Sequence, residues 1–416
     1  MRKPFVALAF LVAACNPGAG SIHQPGTTHG ADATLGGGDA ERPHDSGWTS
    51  DVGAPPSPDA AEAAPDAADG ADAEVDMPLP PPMPSQVYIA ETDGTIHFGT
   101  FDPDTEQLTL AGDTFRSGSL NFLAFDAGGE RLYAARGNAV DAYSLAADGT
   151  PTYLGTADAG IGGTHLEVDA TRSFAFVASY GGDEIAVLPL DENGAPADAT
   201  MSFGGTADPD FCRRAHQVRV HRSNRFVYVP CLASDHVAIF ELDTAAGTVT
   251  PLPPAPTAAG AGPRHMDFHP TLPVAYVIGE KDDTITIFDL DENTGALTNP
   301  SIVSTRPQNP TELGPASDVH VSPDGRYVAG INRNPRNELV IFDVDATGAL
   351  THAVSVSNGG EHARTFTFTP SGGHILVGNS NSQHVVVFRF ADGTPVEGQK
   401  LGGFDARVFY VGIRPR

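Results

Sequence analysis

The sequence predicts an all-β protein whose folded part is a seven-bladed β-propeller, preceded by a signal peptide and a disordered tether rich in Ala, Pro and Asp. Composition is the first observation. The 416 residues include 46 Gly and 35 Pro, a proportion typical of many turns between short strands. Repetition is the second. From residue 120 onward, the same pattern of strands and turns returns about every 48 residues, which is the length of a four-stranded blade.

The first fifteen residues have the pattern of a bacterial lipoprotein export signal. Arg2 and Lys3 precede an apolar run from residue 5 to 12, which is too short to span a bilayer. Val12-Ala13-Ala14-Cys15 resembles a lipobox, in which the chain is cut before the cysteine and the sulfur carries a lipid. We therefore predict a signal peptide at residues 1–14, lipidation at Cys15 and a location in the cell envelope, at the periplasm or cell surface. A secreted protein with an incidental cysteine is the alternative.

Residues 15–85 are predicted to be the lipidated cysteine and a disordered linker. Ala, Pro, Asp and Gly follow one another there in irregular order, and such a composition buries too little apolar surface to fold. The linker would hold the propeller away from the membrane, which the protein contacts only through its lipid.

Charge and lysine content exclude several classes of function. The formal net charge is -28, and an acidic surface without basic clusters repels nucleic acid. The only lysines are Lys3, Lys281 and Lys400. Lys281 stands between Glu280 and Asp282, in a charged turn, so that Schiff-base chemistry, which needs a buried lysine, is not predicted.

Six copies of the blade repeat are visible. Each has an apolar strand, a turn with Pro, Gly or Asn, an aromatic-rich strand and a third strand. Equivalent apolar residues of the first strand recur every 43 to 53 residues, at Phe125, Val168, Val220, Phe268, Val321 and Phe368. The seventh blade is predicted to combine strands at 87–89 and 95–98 with one at 408–411. Pairing the two ends closes the ring and leaves only short strand edges, so residues 86–416 form one propeller.

Several sequence motifs are more specific than a generic propeller repeat. They include Ala-His-Gln-Val at 215–218, Gly-Ala-Gly-Pro-Arg-His-Met-Asp-Phe-His-Pro at 260–270, Tyr-Val-Ile-Gly-Glu at 276–280 and Asn-Arg at 332–333. These motifs resemble the lactonase propellers, a family that includes 6-phosphogluconolactonases and fungal carboxy-muconate lactonizing enzymes. The resemblance implies a lactone hydrolase, a carboxylic-ester hydrolase of carbohydrate metabolism, that needs no cofactor and no metal. We expect it to be a monomer.

The resemblance also implies the site residues. A histidine, two arginines and a glutamate line the pocket at one channel mouth in the family, and the matching positions are His216, Arg264, Glu280 and Arg333. Guanidinium groups can bind an anionic substrate and offset the negative charge that develops as a lactone opens. Either His216 or Glu280 can take the proton from water, and the sequence leaves that choice open. The expected substrate is a small anionic lactone.

Other interpretations of these residues stay open. The four side chains could satisfy backbone groups around the channel. Links at 231–235 and 334–337 depart from the family pattern, which favours a non-catalytic envelope propeller that binds a protein or glycan. His165 and His265 are expected to line the channel or orient other groups. His265 and His269 lack further ligands at suitable spacing, so no metal site is predicted.

Cys212 and Cys231 are predicted to form a disulfide, because two free thiols outside the cytoplasm tend to oxidise. A hairpin that places Val220 opposite about Tyr228 would put Cys231 near His216. A bend before the strand would then bring the two sulfurs together. A Cys-His nucleophile is the alternative, although no group that would orient its base is identifiable.

Overall fold

The computed structural model describes residues 79–306 and 314–415, and these residues form 28 β-strands and no helix. The strands make seven four-stranded sheets in this part of the chain, which confirms the predicted seven-bladed β-propeller. The predicted signal peptide, Cys15 and the tether up to residue 78 lie outside the described residues. Within those residues, no helix is long and apolar enough to cross a bilayer.

Each blade runs from an inner strand at the channel to an outer strand at the rim. The inner strands of blades 1 to 7 are β4 (Leu120–Phe125), β8 (His165–Val168), β12 (Arg219–Val220), β16 (Pro263–Phe268), β20 (Ala316–Val321), β24 (Ala363–Phe368) and β28 (Val408–Ile413). The second strands, in the same order, are β5 (Arg131–Arg136), β9 (Phe174–Ser179), β13 (Phe226–Cys231), β17 (Val274–Gly279), β21 (Tyr327–Asn332), β25 (His374–Asn379) and β1 (Ser85–Glu91).

The third and outer strands complete the blades. The third strands are β6 (Ala139–Leu145), β10 (Glu184–Pro189), β14 (His236–Asp243), β18 (Thr284–Leu290), β22 (Glu338–Val344), β26 (His384–Ala391) and β2 (Thr95–Asp102). The outer strands are β7 (Pro151–Asp158), β11 (Met201–Gly204), β15 (Thr248–Pro256), β19 (Leu297–Ser304), β23 (Leu350–Ser357), β27 (Thr394–Leu401) and β3 (Gln107–Arg116).

The seventh blade joins the two ends of the propeller, as the sequence predicts. The last strand, β28, pairs antiparallel with β1, and Val87 lies opposite Ile413. The first strand begins at Ser85, one residue before the predicted boundary. This pairing closes the ring of inner strands, so the channel wall is continuous.

Apolar packing lies between the blades. The described residues form seven buried apolar clusters, and each joins two neighbouring blades. In one of them, Phe342 of blade 5 packs with Tyr276 of blade 4, and both are fully buried. Burying a large apolar side chain stabilises a fold by about 1.5–3 kcal/mol. The second strands are buried on both faces, whereas the outer strands are largely exposed.

Several inner strands carry a β-bulge close to their first residue. The pairing register shifts by one between Pro263 and His265 in β16 and between Ala363 and Thr365 in β24. Equivalent shifts occur in β4, β20 and β28. A bulge leaves one residue out of the ladder and re-aims its side chain. These bulged strands therefore have an extra side chain at the same end of the channel, which we call the entry mouth.

Candidate active site

Two predicted site residues, His216 and Arg264, occupy bulges at the entry mouth. Arg264 is the residue left out between Pro263 and His265. His216 lies after an isolated bridge between Ala215 and Cys231 and before the regular pairing of β12. The pairing register differs by one residue between the two sides of His216. His216 therefore has the same structural position in blade 3 as Arg264 has in blade 4.

The disulfide fixes the segment that leads to His216. Cys212 and Cys231 are bonded and fully buried, and Cys231 is the last residue of β13. The hairpin register differs by one residue from the predicted one, because Val220 pairs with Val227 instead of Tyr228. Ala215, three residues after Cys212, forms an isolated bridge with Cys231, which brings the two segments together.

Glu280 and Arg333 reach the entry mouth from the second strands. Each is the first residue after its strand, β17 or β21. The backbone N–H of Glu280 donates to Gly262 O at 2.8 Å, and that of Arg333 donates to Pro315 O at 3.2 Å. Because second strands run antiparallel to inner strands, their last residues lie at the same mouth as the bulges.

Arg264, Glu280 and Arg333 converge on one another. Glu280 Oε2 lies 2.7 Å from Arg264 Nε, and Glu280 Oε1 lies 3.2 Å from Arg333 Nη2. The glutamate therefore bridges two guanidinium groups that come from neighbouring blades. Arg264 is almost fully buried at 1% exposure, whereas the Glu280 side chain is 24% exposed.

Backbone carbonyls hold the two arginines from behind. Arg264 Nη1 donates to Ser317 O, and Arg333 Nε donates to Pro315 O at 2.9 Å. The alternative that the site residues satisfy backbone groups is therefore partly correct, since both arginine side chains bind backbone carbonyls of blade 5. One amino group of each arginine, Nη2 of Arg264 and Nη1 of Arg333, has no hydrogen bond to any described residue.

The charges of the cluster shift its pKa values. Burial and the nearby charge of Arg333 lower the pKa of Arg264 to about 9. Burial by itself would raise the pKa of Glu280, but attraction to Arg264 and Arg333 outweighs it, and the net pKa falls below its ordinary value. Glu280 is thus ionised at neutral pH and is a weak base.

The imidazole of His216 is neutral at neutral pH. Burial, followed by the positive charge of Arg264, lowers the pKa of His216 well below its ordinary value. Its Nδ1 atom is buried and has no hydrogen-bond partner among the described residues. The ring contacts Tyr180 and His265 at centroid distances of 5.7 and 5.1 Å. An unpaired nitrogen on a neutral imidazole can accept a proton.

A third arginine, Arg364, lies at the same mouth and is not among the predicted site residues. It is the bulge residue of β24 between Ala363 and Thr365. The repeat alignment contains a signal that identifies it, because Arg364 stands four residues before Phe368, as Arg264 does before Phe268. His362 is also near, and burial, followed by the charges of Arg333 and Arg364, lowers its pKa to about 4.

A separate polar network lines the channel beyond the entry mouth. A cavity of about 370 Å³ lies there, and its lining includes His165, Arg219, His265, Asp318 and His320 but none of the four predicted site residues. Its cations face carboxylates, and its side chains accept backbone N–H groups of the next blade. These bonds are Val218 N to His165 Nδ1, Met266 N to Gln217 Oε1, Phe366 N to Asp318 Oδ2 and Val411 N to Thr365 Oγ1.

This network is structural in character. Arg219 Nη2 lies 2.7 Å from Asp267 Oδ1, and His265 Nδ1 lies 2.6 Å from Asp318 Oδ1. His165 and His265 thus line the channel. Because these charges are paired and the side chains already bind backbone groups, a substrate would gain few polar contacts here. The candidate site is therefore the set of predicted residues at the entry mouth, which this cavity does not include.

Known proteins resemble this chain in sequence. Residues 86–398 match the family model described as "Lactonase, 7-bladed beta-propeller". The 6-phosphogluconolactonase of Yersinia pestis is 30% identical over 317 residues, which cover 75% of this chain and 92% of that protein. The 6-phosphogluconolactonase of Erwinia tasmaniensis is 29% identical over 254 residues, which cover 61% and 74%.

Solved structures have the same fold. The periplasmic gluconolactonase of Pseudomonas aeruginosa superposes with a TM-score of 0.72 at 21% identity, over 80% of this chain and 99% of that one. A protein from Lactobacillus plantarum gives a TM-score of 0.71 at 25% identity, with the same coverage.

Proposed function

Because the chain belongs to the lactonase family of seven-bladed β-propellers, we propose that it hydrolyses a small anionic lactone at the entry mouth. The observation that carries this proposal is the convergence of Arg264, Glu280 and Arg333 at the mouth where His216 also lies. Cationic groups and a base that can activate water are what ester hydrolysis requires.

The proposed reaction begins with proton transfer from a water molecule to the neutral imidazole of His216. The water oxygen forms a bond to the lactone carbonyl carbon, and the carbonyl electron pair moves to its oxygen. Arg264 Nη2 and Arg333 Nη1 offset the charge of that oxyanion. The ester C–O bond then breaks, and the leaving ring oxygen takes the proton back from the His216 imidazolium. The product is the open hydroxy acid.

Glu280 is assigned the role of orienting the two arginines. Its ion pairs hold Arg264 and Arg333 in fixed positions, and the charge that it carries limits their mutual repulsion. A carboxylate bound by two guanidinium groups has little tendency to accept a proton. Both groups have lowered pKa values, but Glu280 is held in two ion pairs, whereas His216 Nδ1 has no partner among the described residues. The proposal therefore assigns the base to His216, a choice that the sequence left open.

A panel of lactones tests the proposal. We expect the purified protein to hydrolyse sugar lactones that carry a phosphate or carboxylate faster than neutral sugar lactones or acyl-homoserine lactones, because the mouth is cationic. Release of acid is followed by pH-stat titration, with spontaneous hydrolysis subtracted. If no lactone is opened above the spontaneous rate, the alternative gains support, namely a non-catalytic propeller that binds a protein or glycan.

We also propose that the protein is an exported lipoprotein anchored through Cys15. The buried disulfide is compatible with an oxidising compartment. In a bacterial host, we expect the full chain to incorporate radiolabelled palmitate and to sediment with membranes. Cys15→Ser should abolish labelling and release the protein into the soluble fraction. Equal labelling of both proteins would contradict the assignment of Cys15.

A further inference from the structure

Arg364 has the same structural place as two residues of the proposed mechanism. It is the bulge residue of β24, as Arg264 is of β16, and His216 lies at the corresponding position before β12. All three stand four residues before the aligned apolar residue of their blades. A side chain at this position is directed to the entry mouth by the backbone itself.

The guanidinium of Arg364 is held by stacking alone. Its Cζ atom lies 3.9 Å from the ring centroid of Phe409, the bulge residue of the neighbouring strand β28. Arg364 forms no hydrogen bond or ion pair with any described residue. Stacking fixes the plane of the group and leaves its N–H donors free.

The position is also electrostatically unfavourable without an anion. Burial and the charge of Arg333 lower the pKa of Arg364 to about 10. The charge of Arg364 in turn contributes to the lowered pKa values of Arg264 and His216. Among the described residues of this cluster, Glu280 is the carboxylate that faces three arginines. Three cations that share one carboxylate destabilise the free protein, and such an excess of one charge is typical of a binding site.

We propose that Arg364 is a specificity-determining residue. It binds an anionic group of the substrate that is separate from the reacting carbonyl, namely a phosphate or a carboxylate remote from the lactone ring. The inference rests on the proposed function and deepens it. Arg264 and Arg333 act on the lactone carbonyl, whereas Arg364 and the ring of Phe409 form the wall on the side of blades 6 and 7. A guanidinium binds either anion through two parallel N–H donors.

Binding of open-chain acids tests the inference without turnover. The probes are gluconate, 6-phosphogluconate, which adds a phosphate, and glucarate, which adds a second carboxylate. Calorimetry on the full chain should show tighter binding of 6-phosphogluconate, glucarate or both than of gluconate. In Arg364→Met, we expect this preference to fall by about 10- to 100-fold, the range for a hydrogen bond between charged groups, while binding of gluconate stays within about threefold.

Arg326→Met is the matched control. Arg326 is exposed and stacks on Tyr327 with its Cζ 5.3 Å from the ring centroid. It lies at the turn between β20 and β21, at the opposite end of the inner strands, so its replacement should leave binding unchanged. Arg364→Lys, which keeps the charge, should restore part of the preference.

The outcomes separate this inference from the proposed function. Loss of the preference in Arg364→Met supports the anion site, even if the protein opens no lactone. A preference that survives in Arg364→Met overturns the inference, as does a wild-type protein without any preference. If the inference fails in either of these two ways but the protein still hydrolyses lactones, the proposed function is retained.

Discussion

Replacing His216 with glutamine is expected to lower kcat for lactone hydrolysis by about 100- to 10,000-fold, the usual contribution of a general base. The physical reason is that glutamine keeps a polar side chain but cannot take a proton from water. Initial rates are measured by pH-stat titration at saturating substrate, and thermal unfolding checks the fold. KM should change less than kcat, since His216 acts on water and not on the anionic groups of the substrate.

His352→Gln is the control for this replacement. His352 lies on the outer strand β23, where its Nε2 contacts Ser355 Oγ at 2.9 Å. It should have wild-type kinetics. If His216→Gln retains activity within about threefold of wild type, the proton acceptor is another group, and Glu280 becomes the candidate.

Replacing Arg264 with methionine is expected to lower kcat/KM by about 100- to 1,000-fold, the cost of removing one donor to an oxyanion. It should also move the acid limb of the pH profile. In the wild type, the pKa of His216 is lowered, so it becomes protonated only well below its ordinary value of about 6.5. Activity should therefore persist at mildly acidic pH. Removing the charge of Arg264 raises the pKa of His216, so the limb should shift to higher pH.

A pH profile of kcat/KM for both proteins checks the sign of this shift. Because Arg264 is buried and bonded to Ser317 O, its loss can also affect folding. Arg264→Lys, which keeps the positive charge, separates the two effects. It should keep the wild-type acid limb even if its rate is low. An unchanged limb in Arg264→Met would show that Arg264 does not act on His216.

The blade repeat was predictable because its physical causes are local. Turns rich in Gly and Asn, and strands with buried apolar residues such as Phe268 and Phe368, recur at the length of one blade. The composite blade was predictable for a related reason. Lone strands at the two ends of the chain need partners, and the pairing of Val87 with Ile413 provides them.

The site was only partly predictable. His216, Arg264, Glu280 and Arg333 were identified through family resemblance, and the structure brings Arg264, Glu280 and Arg333 into contact. Arg364 was missed because no family motif pointed to it. The alignment of repeats placed it beside Arg264, but an aligned position does not reveal that both residues lie in bulges.

The sequence by itself determined the fold class, the number of blades and the chain segments that close the ring, because burial and turn formation depend on nearby residues. Only the tertiary structure decided which side chains face the entry mouth. In a regular strand, successive residues such as Pro263, Arg264 and His265 point to alternate faces of the sheet. A shift of one residue in the register moves each side chain to the opposite face. The bulge introduces that shift. Its presence depends on how β16 pairs with the neighbouring strand β17, and the residue pattern along β16 alone does not contain that pairing.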